Sequence, residues 1–361
     1  MLPVLLRIVI PPGFGLPVAI GVALLLTVGR AVAHQRRMAR EKRKVSFLAA
    51  LLDDKVTIVV LALAVGVLWR GGLLRGRLEL PLHTYGLLIA SAFVVGIWLA
   101  QREARRQGQD PERVADLSFW ILVAALVGSR IYFIFVNWSD YFGDGAWVVT
   151  GLGRIPRLLA VWEGGLVFYG GFIAAALTAV WYLRRHRMPF LPYADTLIPS
   201  VAFGHFLGRL GCFSAGCCWG RTSGPGLPWG AKFPPESLAF QSFLARPGGD
   251  RFLAPDHLST LPLHPTQLYE AFGELALFAL LVLLVRPRKR FHGQVLATWL
   301  MAYAVLRTVV ESFRGDIERG VVAGLGVGQW TSILIFAAGV AAWLLASRRA
   351  RSARAAEPAL A

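Results

Sequence analysis

Tyr303, Arg307, Glu311 and Arg314 stand at i, i+4, i+8 and i+11 in an otherwise apolar stretch. A helix there carries all four on one face. An arginine in hydrocarbon costs about 2.5–3.5 kcal/mol even on a lenient scale, so it must face a cavity or a partner. Arg130 and Arg209 lie in or beside two further apolar stretches. The guanidinium fork suits a phosphate better than a lysine ammonium does. Three such groups converging near one membrane surface point to a site for an anionic headgroup. The competing reading is structural ion pairing, because Glu163, Glu270, Glu274 and Glu311 lie at similar depth.

Other constellations surround these. Gly204 and Gly208 form a small-xxx-small pair, which implies close helix packing. Gly211, Gly216 and Gly220 follow too densely for a regular helix and imply a broken or tightly turning backbone next to Arg209. Cys212, Cys217 and Cys218 are the only cysteines. Their C-x4-C-C spacing matches no zinc pattern, and no second Cys/His pair completes four ligands. They read as small packing residues, with a disulfide, redox or lipid-handling role as the alternative. His264-Pro265-Thr266-Gln267-Leu268-Tyr269-Glu270 opens a helix with proline at a natural first-turn position. Gln267, Glu270 and Glu274 then share a face. A lone histidine such as His205 reads as a satisfied buried residue. Gly324-x-Gly326-x-Gly328 follows no strand and is no nucleotide motif.

The elements that must position these residues are membrane spans. The chain is 56% hydrophobic and 16% charged, against roughly 25% charged in a soluble domain. Its apolar residues come in blocks of bilayer-crossing length. Disordered, collagenous and disulfide-scaffold classes are excluded. Nine spans are expected, at about 16–32, 56–74, 85–99, 117–136, 166–183, 197–213, 268–285, 295–313 and 328–345. One set of connections holds 22 Lys and Arg and the other holds 12. The bias places the N-terminus outside and the C-terminus in the cytoplasm. The net charge of +17 is then a cytoplasmic rim rather than a nucleic-acid surface. The first block reads as an uncleaved span and not a signal peptide, because six basic residues follow it between Arg36 and Lys44. The class is all-α, a polytopic helical membrane protein of about nine transmembrane helices.

On these residues the chain resembles the prolipoprotein diacylglyceryl transferase family. The resemblance runs from about Leu82 to Gly339, and the two spans before Leu80 are extra. It rests on Tyr85-Gly86, Gly128-Ser129-Arg130, the Gly164-Gly165…Gly170-Gly171 segment and Gly208-Arg209-x-Gly211 through Gly220. It continues with Pro228-Trp229, Phe233-Pro234, the His264–Glu270 motif, Tyr303…Arg307…Glu311…Arg314 and Gly328-Gln329. The resemblance implies transfer of diacylglyceryl from phosphatidylglycerol to the lipobox cysteine of a preprolipoprotein, with release of glycerol 1-phosphate. It implies Arg209, Arg307 and Tyr169 as catalytic residues. Tyr85, Arg130, Gly170, Gly211, Gly220, His264, Gln267, Glu270, Tyr303 and Glu311 would bind substrate. Tyr303 and Glu311 would orient Arg307, and Gly220 would let the backbone approach the substrate. The family usually has His at Tyr169, Asn at Cys212, Asn at Ala215 and an acid at Cys217. A phenol with a pKa of about 10 is a poor base at neutral pH.

No metal or cofactor is expected. The expected partners are phosphatidylglycerol, preprolipoprotein signal peptides and membrane lipid, with no nucleic acid, for a monomer in the bacterial inner membrane whose active site faces the periplasmic leaflet. The expected organisation is a two-span extension at 1–80, a transferase-like membrane domain at 81–346 with an external loop or head at 219–262, and a basic tail at 347–361. The alternative is a lipid-binding or lipid-transport paralogue that keeps the headgroup pocket. A small-solute transporter would show inverted repeats, and none is found.

Overall fold

The computed structural model describes residues 4–10, 16–17, 19–24, 27, 62, 65, 78–142, 147–150, 153–157, 165, 167–224, 226–315, 321–322 and 324–356. Helices dominate. They are α1 (Thr84–Arg106), α2 (Pro111–Val136), α3 (Trp138–Phe142), α4 (Phe168–Arg185), α5 (Phe190–Ala215), α6 (Leu238–Leu244), α7 (Thr266–Ala279), α8 (Gln294–Glu311) and α9 (Val327–Ala356). Short hairpin strands, such as Trp147–Thr150 against Gly153–Pro156, account for little of the chain. The protein is a helical membrane protein. Thr84–Arg106, Pro111–Val136, Thr266–Arg288 and Val327–Ser352 are each long and apolar enough to cross a bilayer. Helices α4, α5 and α8 cover three more of the expected segments. Most of the segment expected at 56–74 and about half of that at 16–32 lie outside the described residues, as does Glu163.

Two compact units are present. The first contains Leu82–Val127 and the chain from Phe172 onward, and the second contains Gly128–Gly171. In the first unit α1 and α7 pack on α5, and α8 packs on α9. At Gly204 a Cβ would stand 3.8 Å from the Ala92 carbonyl, ordinary van der Waals contact, so α1 runs close along this face of α5. Outward-facing Val94, Leu177 and Leu334 are exposed. Apolar surface on that scale belongs against lipid.

The helix ends follow from the sequence. Arg105 and Arg106 close α1, favourably placed at the negative end of its dipole. Asp110 then caps α2 through Glu112 N at 2.9 Å, with Pro111 in the first turn. The turn expected near Gly211 comes later. Helix α5 runs unbroken through Gly211 and stops at Gly216, whose φ of 69° supplies the left-handed C-terminal turn. Gly211 therefore did not break the helix, and the Tyr85 ring fills the space beside it.

Two internal ties brace the end carrying the basic connections. Arg286 pairs with the buried Glu103 of α1. Asp195, fully buried in α5, accepts from Gly293 N at 2.7 Å and Leu296 N at 3.0 Å, and Lys289 lies 3.4 Å away. It therefore satisfies amide donors that the start of α8 leaves without helical partners. Beyond α5 the chain packs into a small cluster, the head, between α5 and α7. Phe233, Phe240, Phe243, Leu253 and Leu263 form its core, with Phe213 and Trp219 packed against it.

Asp195→Ala should lower the unfolding free energy by about 1–3 kcal/mol, because it strands buried amides. Thermal unfolding in detergent measures this, and a midpoint equal to the parent's would mean that Asp195 does not hold α8.

Candidate functional site

Three helices of the first unit each contribute an i, i+4 pair of polar residues at one place. They are His205 and Arg209 from α5, Glu270 and Glu274 from α7, and Arg307 and Glu311 from α8. Two carboxylates at i, i+4 repel unless cations stand between them. Here the arginines of the two neighbouring helices supply the compensation.

Glu270 is the centre. It is fully buried, its Oε1 accepts from Arg209 Nη2 at 2.9 Å, and its Oε2 accepts from Arg307 Nη1 at 3.3 Å. Arg209 Nε also donates to His205 Nε2 at 3.2 Å. A guanidinium cannot accept, so Nε2 holds a lone pair and the ring's Nδ1–H donates to Glu274 Oε1 at 2.7 Å. Trp299 Nε1 donates to the other Glu274 oxygen at 3.3 Å. Arg307 Nη2 reaches Glu311 at 2.6 Å. Tyr303 stacks on Trp299 at 5.3 Å and stands 5.6 Å from the His205 ring. The chain Glu274–His205–Arg209–Glu270–Arg307–Glu311 is thus continuous.

Glu311 is set by α9. A Cβ at Gly328 would stand about 2.5 Å from the Glu311 carboxylate, so a side chain there would push that carboxylate out of its present position. Beside Arg209, Tyr85 rests on Gly211, where a Cβ would meet its ring at 3.1 Å. Gln267 donates to the Cys217 carbonyl at 2.6 Å, and Thr266 donates to that of Cys218 at 2.8 Å. The three cysteines are free thiols, and their sulfur atoms lie within 4.8 Å of one another. Hydrogen bonds from Cys212 and Cys217, with Arg209 and Arg314 nearby, pull the Cys218 thiol down from its ordinary value.

Next to the head, a cavity of about 440 Å³ is lined by Leu227, Trp229, Leu306, Val309 and Phe313, with His264 and Tyr269 at its wall. Trp229 Nε1 donates to Tyr269 Oη at 2.9 Å, and Tyr269 lies 3.2 Å from His264 Nδ1. Burial and then the Arg221 charge hold His264 below its ordinary value, so the neutral ring accepts from Tyr269.

Arg130, Tyr169 and Gly170 belong to the second unit. Arg130 is buried there over the Phe133 and Tyr141 rings, donating to the carbonyls of Gly165 at 3.4 Å and Arg157 at 3.2 Å. The arginines that meet on one carboxylate are therefore Arg209 and Arg307, and Arg130 is held by backbone oxygens. Gly170 packs against the Gly128 carbonyl and Tyr132. Tyr169 is exposed. A Cβ at Gly220 would strike His264 O at 2.6 Å and Phe313 O at 2.7 Å, so crossing backbones of the protein itself require glycine there. His205, expected as a satisfied buried residue, has both ring nitrogens satisfied, by Glu274 and Arg209. Its i, i+4 relation to Arg209 was the signal that would have placed it in the chain.

The family model for prolipoprotein diacylglyceryl transferase matches residues 74–345. Relatives named phosphatidylglycerol–prolipoprotein diacylglyceryl transferase align over most of the chain. One from a Nostoc species is 32% identical over 278 residues, 75% of this chain and 88% of its own length. One from a Polaromonas species is 33% identical over 290 residues, 77% and 94% respectively. One from Proteus mirabilis is 32% identical over 273 residues, 74% and 89%.

Glu270→Ala removes the carboxylate shared by two guanidinium groups, and losing one partner of a buried pair costs about 3–5 kcal/mol. The expected fall in thermal stability exceeds that for Glu311→Ala, since Glu311 is partly exposed and Glu270 is not. Equal falls for the two variants would refute the central place given to Glu270.

Proposed function

The chain belongs to the prolipoprotein diacylglyceryl transferase family, a family of membrane transferases, and from that premise we propose its reaction. It moves the diacylglyceryl group of phosphatidylglycerol to the lipobox cysteine thiol of a preprolipoprotein and releases glycerol 1-phosphate. One observation supports this most. Glu270 offers one oxygen to Arg209 and the other to Arg307, so two guanidinium groups sit a carboxylate's width apart at a buried site.

Each guanidinium has five N–H donors, and the bonds named above use two from each. The remaining donors are what a phosphodiester binds. Two guanidinium groups face three carboxylates here, so recognition comes from aimed hydrogen bonds and not from an excess of positive charge. As the carbon–oxygen bond breaks, charge collects on the departing phosphate, and donors already aligned in a water-poor site stabilise it. Tyr303, stacked on Trp299, walls the site on the α8 side. The apolar cavity beside the head takes an acyl chain or the apolar part of a signal peptide.

The finer assignments belong to the same proposal. Nine spans carry the chain through the bacterial inner membrane, with the N-terminus outside, the C-terminus in the cytoplasm and the site toward the outer leaflet. Residues 1–80 form an extension, 81–346 the catalytic domain with its head at 219–262, and 347–361 a tail. The protein acts as a monomer. Tyr85, Arg130, Gly170, Gly211, Gly220, His264, Gln267, Tyr303 and Glu311 line or support the substrate path with Glu270, and Arg209, Arg307 and Tyr169 act on the reacting groups.

Reconstituted with phosphatidylglycerol vesicles and a lipobox peptide, the protein should add one diacylglyceryl mass to the peptide. Arg209→Lys and Arg307→Lys should each slow this by about 10²–10³, the usual loss for one donor to a developing oxyanion. Phosphatidylglycerol binding with neither peptide gain nor glycerol phosphate release would replace the transferase reading by the lipid-binding one.

A further inference from the structure

We propose that Cys212, Cys217 and Cys218 form a three-thiolate zinc site whose fourth position is open to an incoming thiol. The three sulfurs come from the last turn of α5 and the loop after it, and they converge within 4.8 Å as free thiols. Zinc–sulfur bonds of about 2.3 Å put tetrahedral sulfurs about 3.8 Å apart, so small side-chain movements complete the site. Thiolates select thiophilic ions, and three protein ligands with one vacancy is the arrangement of zinc centres that act on a substrate.

The loop is built to hold this shape. Gly216 turns left-handed and Cys217 N returns to the Cys212 carbonyl at 3.1 Å. Cys218 itself adopts a φ of 59°, which a cysteine takes only when its surroundings impose it. The Cys217 and Cys218 carbonyls are pinned to the start of α7 by Gln267 and Thr266. Gln267 Oε1 is buried beside this loop with no hydrogen-bond partner among the described residues, so a polar acceptor is left over there. Packing alone does not call for three sulfurs, an imposed left-handed backbone and an unused buried acceptor together.

The assignment rests on the transferase reading, which requires a thiolate. The groups nearest Arg209 that are able to take a proton are already engaged. His205 Nε2 accepts from Arg209, and Glu270 and Glu274 hold Arg307, Arg209, His205 and Trp299. A thiol that coordinates zinc is deprotonated outright. Cys212 stands three residues after Arg209 on α5, on the same helix face, so a thiolate bound at the triad lies near the guanidinium proposed to receive the phosphate. The acceptor thiol gives its proton to solvent on binding. Its sulfur forms a bond to the glyceryl carbon while that carbon's bond to the phosphate oxygen breaks, the electron pair leaving with the phosphate. Glycerol 1-phosphate regains one proton, so the charge of minus one is the same before and after. The neutral thioether is a weak ligand and departs.

The full chain, purified in detergent without reductant or chelator, should carry one zinc by elemental mass spectrometry. Zinc should slow alkylation of the three cysteines in the parent protein more than tenfold, and Cys217→Ser and Cys218→Ser should each lose the metal while still binding phosphatidylglycerol vesicles. In cobalt-substituted protein, a lipobox peptide should strengthen the sulfur-to-cobalt charge-transfer band, and the same peptide with serine for cysteine should not. Zinc-free parent protein with unprotected cysteines, a disulfide among the three, or a cobalt spectrum blind to the lipobox peptide would each overturn the proposal. So would undiminished transfer by metal-stripped protein, which would leave the transferase reading intact. Zinc-loaded protein that takes up the peptide thiol but never transfers lipid would sink the transferase reading and leave the site.

Discussion

The fully buried carboxylate of Glu270 holds two guanidinium groups, one on each oxygen, and the rest of the polar interior is arranged around that contact. Neither arginine is tolerable in hydrocarbon alone, and a buried carboxylate without partners is equally costly. Each therefore depends on the others, and three helices must meet at one depth and rotation for all of them to be satisfied. The neighbouring bonds, from Glu274 through His205 at one end to Glu311 at the other, extend the constraint without adding a second centre.

Depth and rotation are set by contacts distant from the charges. Helix α1 packs along α5, and the Gly328 backbone lies against the Glu311 carboxylate. The head contributes from the other side. Its core packs Phe213 and Trp219, residues that flank the cysteine turn. Trp229 of the head also bonds Tyr269 of α7, next to the Glu270 turn. Folding of the head and placement of the ion network are thus linked through two short stretches of chain.

Much of this was legible in the sequence. The register of Tyr303, Arg307 and Glu311, and that of Gln267, Glu270 and Glu274, follows from helical periodicity once the segments are recognised as spans. The small-xxx-small pair correctly implied close packing of α5. What stayed hidden depends on contacts between segments far apart in the chain. Asp195 reads as a stray acid in an apolar run, and only the fold shows it under the first turn of α8. Arg130 has the same local signature as Arg209, yet carbonyl oxygens hold it, and no pattern of side chains reveals a backbone partner. The glycines at 211 and 216 looked alike, but only the second turns the chain. The cysteines matched no spacing rule because their convergence is made by a left-handed turn and not by helical repeat.

Helix α8 is fastened at both ends. Asp195 grips its first amides, and at its last turn Glu311 is seated on Gly328 while tied to Arg307. A rod clamped in this way cannot slide along its axis or roll, so the Arg307 fork is a fixed anvil. Any opening of the space around Arg307 then has to come from the elements packed on α8, not from a stroke of the helix itself.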